Sequence, residues 1–311
     1  MSDTMILLFG GVVAILLFAS TVGFILSRRV TSESGRATVD NLNARIKAWW
    51  LMIAIFAVAF AFGKIVTVVL FALVSFYCLR EFLSISPGRA EDHAAIVWAF
   101  YIFIPLQYWL IAVEWRTLFA IAIPVWAFLW LPVMSVLKGE TEDFLQRNAR
   151  IQWALMLTVF CISHAPALLI LDIPGFEENF LLLFFLITVV QLSDVLQYVF
   201  GKIFGRRKVA PRVSPAKTWE GLVGGGLTAS AVGAGLWWIT PFAPWQAALM
   251  ALAIVVAGFV GGLVLSAVKR SLGAKDWGTM IEGHGGAMDR MDSVSFAAPV
   301  FFHLTNYFFG A

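Results

Sequence analysis

Charge is scarce in this sequence. Asp, Glu, Lys and Arg make up 13% of its residues, where a soluble domain carries about a quarter, so a water-soluble globular fold is excluded. Cysteine is scarcer still. Cys78 and Cys161 are the only two, and both fall inside apolar runs, which suggests neither a disulfide framework nor a zinc site. Period-two alternation of apolar and polar residues is missing, which removes a transmembrane barrel. No P-loop, dinucleotide-binding glycine fingerprint or metalloprotease motif occurs, so a conventional soluble nucleotide fold is not expected. No long internal repeat and no sizeable soluble segment is found. The N-terminal run "MSDTMILLFGGVVAILLFASTVGFILSRR" lacks a basic start and is too long for a signal-peptide core. It is expected to remain as a first spanning helix.

What is abundant is apolar surface: 60% of the residues are hydrophobic, with 28 Phe and 13 Trp. The runs at about 5–26, 48–62, 65–79, 95–113, 117–137, 151–171, 179–200, 221–240, 246–267 and 293–309 are long enough to cross a bilayer or nearly so. The expected fold class is therefore all-α, a polytopic helical membrane protein with about ten transmembrane helices. The number becomes nine if the second and third runs, which meet at Gly63-Lys64, form one bent element. Two regions are expected: an N-terminal transmembrane region, 1–178, and a C-terminal region, 179–311, with polar loops at 201–220 and 268–292.

The few basic residues are unevenly spread. Segments 27–47, 80–94, 138–150, 201–220 and 268–292 hold 20 of the 22 Lys and Arg, whereas 172–178 and 241–245 hold none. With ten spans the five basic segments share one side, which the positive-inside rule makes cytoplasmic, with both termini outside. Attraction to anionic lipid heads accounts for 27–47 and 138–150. It accounts poorly for the glycines and acidic residues of "KRSLGAKDWGTMIEGHGGAMDRMD", 269–292.

In that stretch Asp276, Asp289 and Asp292 lie with His284, and Asp289 and Asp292 share a helix face if the last helix begins near them. Paired carboxylates suit Mg²⁺, which binds through one or two of them plus substrate phosphates. Lys269, Arg270, Lys275 and Arg290 are placed to hold phosphate oxygens. Gly283, Gly285 and Gly286 let backbone approach an anion. A solvated loop of mutually paired charges fits the spacing equally well. Upstream, "GKIFGRRKVAPRVSPAKTWEG" carries Arg206, Arg207, Lys208, Arg212 and Lys217, a cluster that suits a triphosphate but is also an ordinary topology signal. Ser214-Pro215 breaks any helix there. Asp194 lies inside an apolar span on one face with Gln191 and Tyr198, and an ionisable residue in that setting points to function. His164 and His303 read as packing residues. Glu81 and Glu114 stand at span ends, where a charge reaches interfacial water, and the Gly224–Gly226 triplet allows close helix packing.

The run from Ser266 resembles the signature of the CTP:phosphatidate cytidylyltransferases (CDP-diacylglycerol synthases). Its elements here are Ser266, Lys269-Arg270, Lys275-Asp276, His284-Gly285-Gly286 and Asp289-Arg290-Met291-Asp292. "SPAKTWEGLVGG" resembles the family's upstream stretch. The two stretches cover roughly the last third of the chain. Two departures mark a divergent member: Glu282 where the family has Pro or a small residue, and Ser193-Asp194 with Gln197-Tyr198 where it shows Asn-Asp and Ala-Tyr. The resemblance implies transfer of a cytidylyl group from CTP to phosphatidate, giving CDP-diacylglycerol and pyrophosphate, with Mg²⁺ as cofactor. It implies catalytic roles for Asp276, Asp289, Lys269, Arg270 and His284. Substrate contacts fall to Lys217, Ser214, Arg290, Lys275, Arg207, Gly285 and Gly286, and the metal to Asp289, Asp292, Asp276 and Asp194. The partners are then CTP, phosphatidate and the lipid bilayer, with no nucleic acid and with a homodimer left open. The setting would be a bacterial cytoplasmic (inner) membrane. A phospholipid transporter or flippase, or an inactive scaffold of the same fold, is the alternative.

Overall fold

The computed structural model describes residues 3–29, 32–86, 88–139, 141–278 and 285–311. The chain is almost wholly helical, as a bilayer requires of any backbone that must satisfy its own polar groups. We number the long helical segments α1 (Asp3–Arg29), α2 (Glu33–Phe62), α3 (Lys64–Ser84), α4 (Ala90–Ala112), α5 (Arg116–Val136), α6 (Phe144–Ile170), α7 (Asn179–Ile203), α8 (Trp219–Gly235), α9 (Pro244–Ser271) and α10 (Met288–Phe309). Among the described residues, eight helices are long and apolar enough to cross a membrane. The two that fall short are α8, with 17 residues, and α10, whose first turns carry Asp289, Arg290 and Asp292.

Gly63 separates α2 from α3. Its φ of +90° is open to glycine and strained for other residues, and Thr67 Oγ1 returns to the carbonyls of Ala59 and Gly63 at 3.2 Å each. The pair is therefore a hairpin and not one bent element. α4, α5 and α6 each contain a π-helical turn, at Ala99–Phe103, Ala122–Ala127 and Met156–Phe160. In the first two, Pro105 and Pro124 lie beside or within the turn and withhold an N–H from the ladder.

Contacts between connecting segments show which helix ends lie together. Arg270 Nε donates to the Val213 carbonyl at 3.4 Å, joining 201–220 to 268–292. Glu81 accepts from the backbone of Ala287 and Met288, joining the end of α3 to the start of α10. Arg89 pairs with Glu142 and Asp143, joining the segment after α3 to the one before α6. Four of the five basic segments thus meet at one end of the bundle. At the other set of turns Lys64 pairs with Glu114, and the Ala311 amide reaches the Asp172 carbonyl at 2.9 Å.

Behind the outer pair of Arg89 lies a buried one. Asp92 is fully enclosed, accepts a hydrogen bond from Arg150 Nη2 at 2.7 Å and forms an ion pair with Arg147 Nε at 3.0 Å. Removing one partner from a buried charge network leaves the others uncompensated, at a cost of about 3–5 kcal/mol. Asp92→Ala should accordingly lower the thermal midpoint in detergent by many degrees, and an unchanged midpoint would show that water reaches the two guanidinium groups.

The last four helices, α7 to α10, form the part that positions the polar loops. α7 and α8 touch backbone to backbone: a Cβ on Gly225 would lie 2.6 Å from the Cα of Gln197. α9 meets α10 where Gly258 faces Ser293. Segment 201–220 is an antiparallel hairpin, β1 (Lys208–Ala210) with β2 (Ser214–Thr218), registered Lys208 to Thr218 and Ala210 to Ser214. Pro215, expected only to break a helix, is tolerated in a strand of this two-stranded ribbon because both strands are edges. Thr218 then caps α8 by accepting the Gly221 amide at 3.0 Å.

Candidate active site

α10 opens with Asp289, whose carboxylate is shared three ways. Oδ2 accepts the amides of Trp277 and Gly286, each at 2.9 Å, and Oδ1 accepts Lys269 Nζ at 2.7 Å. One side chain therefore fastens both flanks of segment 279–284 to the end of α9. Gly285 is needed here: its φ is +79°, and a Cβ would lie 2.7 Å from Asp289 Oδ2. Trp277 is fully buried, stacked on Phe82 of α3 at 4.8 Å between ring centres, and the Lys269 ammonium lies 5.9 Å from its indole.

Three residues along α10, Asp292 is half-buried and feels Lys217 and Lys269 as its main cations. Asp194 comes from α7. Its Oδ1 accepts the Ser293 hydroxyl at 3.1 Å, and it stands close enough to Asp292 for the two carboxylates to repel each other. Asp194 is accessible to solvent yet surrounded by protein on most sides, so it lines a cleft. Lys217, near the end of β2, forms another wall. Its ammonium donates to the Phe259 carbonyl at 3.1 Å and lies 4.6 Å from the Phe259 ring. It crosses α9 at Gly262, where any Cβ would collide with it. Burial pushes the Lys217 ammonium below the usual lysine range, Asp194 and Asp292 pull it back up, and Lys269 pushes it down again.

Of the residues expected from sequence, the structure thus gathers Asp194, Lys217, Lys269, Asp289 and Asp292, with Arg290 close enough to act on Asp194. Gly285 and Gly286 lie against Asp289. Others sit apart. Asp276 and Lys275 are exposed, because Trp277 takes the inward place in that extended stretch and its neighbours turn out. Arg270 is exposed and spends its guanidinium on the carbonyls of Val213 and Ala274. Ser214 is half-buried in β2. The side chain of Arg207 borders a shallow groove floored by Phe200, Phe204, Trp219 and Val223, and its amide donates to Glu220. His284 and Glu282 lie outside the described residues.

Glu81 is the residue that the sequence reading misjudged. It does not reach interfacial water. It is 6% exposed and accepts the Ala287 and Met288 amides at 2.9 Å each. Nothing in its local sequence signals a partner about 200 positions away. Trp277 was also passed over, although an aromatic residue within a charged loop is a packing signal.

Among the described residues no group of three His, Cys, Asp or Glu lies close enough to hold a metal ion. The donor chemistry still fits a hard divalent ion. Two carboxylates, Asp194 and Asp292, lie near enough to repel each other, and Mg²⁺ binds through one or two carboxylates, keeps several waters and needs no protein cage. Asp289 already serves three donors, two on Oδ2 and one on Oδ1, and so has less free acceptor capacity than its neighbours.

Fold and site together define a polytopic helical membrane protein with a cluster of acidic and basic side chains at one end of its bundle. The chain belongs to the cytidylyltransferase family, whose profile spans residues 43–308. It is 38% identical over 298 residues to the uncharacterized protein YnbB of Escherichia coli (strain K12), covering 94% of this chain and 96% of that protein. It is 43% identical over 114 residues to a phosphatidate cytidylyltransferase of Mycobacterium leprae, 36% of each chain. With the phosphatidate cytidylyltransferase of Brucella abortus biovar 1 the identity is 40% over 136 residues, 43% of this chain and 48% of that one. The chain thus matches less than half the length of these two enzymes.

Proposed function

We propose that this protein transfers a cytidylyl group from CTP to phosphatidate, releasing pyrophosphate and leaving CDP-diacylglycerol in the membrane. The observation that carries the proposal is the cleft in which Asp194 and Asp292 face Lys217, with Lys269 and Asp289 locked together beside it. An oxygen of the lipid phosphate attacks the α-phosphorus of CTP. A new P–O bond forms there as the bond to the β-phosphate breaks, and pyrophosphate leaves with the electron pair. Such a displacement is accelerated mainly by positioning and by neutralising negative charge. A phosphate monoester is already largely ionised near neutral pH, so no dedicated general base is required.

Lys217 lies where it can neutralise phosphate oxygens, since among the described residues its ammonium donates to a carbonyl and makes no ion pair within 4 Å. Lys269, tied to Asp289, adds positive charge while holding the loop. Arg290 contributes from the same turn of α10. Asp194 and Asp292 would hold Mg²⁺, which when bound screens the triphosphate charge. Asp289 then orients the loop ends, a role distinct from that of its neighbour three residues on. The likeness to phosphatidate cytidylyltransferases supports phosphatidate as acceptor. Purified protein given labelled CTP, phosphatidate in mixed micelles and Mg²⁺ should yield CDP-lipid and pyrophosphate in equal amounts. Pyrophosphate without CDP-lipid, or neither product, would overturn the assignment.

The cleft is proposed to face the cytoplasm of a bacterial cell, where CTP is available, with both termini outside. This follows from the basic segments gathered at its end of the bundle. A cysteine placed at Glu177 should react with an impermeant maleimide added to intact spheroplasts, and one at Ala274 should react only after lysis. The reverse pattern would invert the topology.

A further inference from the structure

We infer that Glu81, on a helix far from the signature stretch in sequence, is a positioning residue for this site, holding the two ends of segment 279–284 together and fixing where α10 begins. The inference rests on the reading of the cleft as a cytidylyltransfer site. Four backbone positions converge on its carboxylate. Oε1 accepts the Ala287 amide and Oε2 the Met288 amide, each at 2.9 Å. On the other side of the loop Gly278 lies so close that a Cβ there would be 2.8 Å from Oε1, and Gly286 is packed against the same group too tightly to admit any Cβ. Gly278, which enters 279–284, and Gly286, two residues past its end, both rest on Glu81 and leave no room there for a Cβ.

The chemistry of the contact suits its place. The first amides of a helix lack intrahelical partners and carry the positive end of the helix dipole, so a carboxylate there is favoured twice. α10 begins at Met288, and its N-cap residue, Ala287, supplies no side-chain cap. Glu81 supplies it from α3. The contact is continuous with the site. The amide accepted by Asp289 belongs to Gly286, one residue before the first amide accepted by Glu81. Phe82, next to Glu81, stacks on Trp277, whose amide also binds Asp289. Cys78, one turn earlier on α3, lies near enough for Glu81, Asp289 and Asp292 all to act on it. Withdrawing the carboxylate would therefore free the turn that aims Asp289 and Asp292, without touching any group that meets substrate.

The experiment compares wild type with Glu81→Gln, Glu81→Asp and Ser75→Ala, all in detergent. Ser75 lies on the same helix, where its hydroxyl pairs with Tyr108, and reports on general packing of α3. Glu81→Gln sets an amide NH₂ against one of the two backbone donors, and kcat should fall about a hundredfold, the scale of an ångström's misplacement of reacting groups. KM for CTP and for phosphatidate should stay within about threefold, because the binding groups remain. Glu81→Asp, which keeps the charge but is one methylene short, should recover part of kcat, and Ser75→Ala should leave kcat near wild type. Hydrogen exchange of the peptide 285–290 should quicken by at least about tenfold in Glu81→Gln and not in Ser75→Ala, since a cap amide is released to water. Equal loss of kcat in Ser75→Ala and Glu81→Gln would overturn the inference, as would unchanged exchange at 285–290. The exchange arm needs no turnover. A wild type inactive with CTP and phosphatidate would sink the proposed reaction while leaving the grip of Glu81 tested. If Glu81→Gln does not fold, Gly278→Ala displaces the same carboxylate from the opposite side. It should give the same kinetic and exchange pattern, and wild-type behaviour in that variant would equally overturn the inference.

Discussion

Asp292→Asn should reduce cytidylyl transfer by about 10²–10³-fold, the loss typical when one preorganised charge is removed from a reacting centre, while leaving the protein folded. The two halves of this expectation have separate causes. The fold should survive because Asn keeps the shape of Asp, and its oxygen can still accept the Ser293 amide that Asp292 Oδ1 accepts at 2.8 Å. Turnover should not survive, because the cleft then offers Asp194 alone as a charged oxygen ligand for a divalent ion. Asp289→Asn should behave differently. All three donors on that carboxylate, Lys269 Nζ and the amides of Trp277 and Gly286, need acceptors, and an amide group turns one acceptor into a donor. Activity falls there too, with quicker proteolysis of the loop and a lower thermal midpoint. The measurement is kcat with labelled CTP against Mg²⁺ concentration, with thermal unfolding in parallel. Near-normal turnover by Asp292→Asn at low Mg²⁺ would remove that residue from the metal site. Equal stability of the two variants would remove the distinction drawn between them.

The membrane architecture was legible because hydrophobic length is a direct consequence of bilayer thickness. The ten expected runs correspond to the ten long helices, and the hairpin at Gly63 follows from a residue that alone tolerates its φ. Helix starts were less legible. α6 begins at Phe144, well before the apolar run, because its first turns are amphipathic and bury Arg147 and Asn148, which a threshold on apolarity cannot see. α10 likewise starts at Met288, taking Asp289, Arg290 and Asp292 into the helix. In the site, Asp194 stood out as an ionisable residue inside an apolar span, and the spacing of Asp289 and Asp292 put both on the first turns of one helix. Spacing could not tell that Asp289 is occupied by loop donors while Asp292 is not. Nor could it tell that Asp276 points outward, since that depends on which neighbour fills the pocket over Phe82. Glu81 was invisible because its partners are backbone amides, and amides leave no mark in a sequence.

Lys217→Met should lower kcat by about 10²–10³-fold, roughly 2.7–4 kcal/mol of transition-state stabilisation. Met keeps nearly the length and volume of Lys, so the path across Gly262 and the contact with the Phe259 ring can persist. What disappears is one positive charge near Asp194 and Asp292, together with the donors of the ammonium. The ammonium has three N–H groups, and the Phe259 carbonyl takes one at 3.1 Å. Among the described residues Lys217 makes no ion pair closer than 4 Å, in contrast to Lys269, whose ammonium is bonded to Asp289. A cation held beside carboxylates but not bonded to them remains available for the charge that builds on the departing pyrophosphate. Because that charge grows in the transition state, the loss should fall on kcat more than on KM for CTP. Lys217→Arg should recover only part of the rate. It restores the charge, but its wider planar head must pass the same narrow crossing over Gly262. Lys269→Met provides the contrast: with Asp289 left unpaired, it should slow turnover and loosen the loop together. If Lys217→Met raises KM for CTP with kcat unchanged, Lys217 holds the ground-state triphosphate and does not stabilise the leaving group. If both constants stay near wild type, the ammonium over Gly262 serves the packing of the hairpin on α9 and has no part in the transfer.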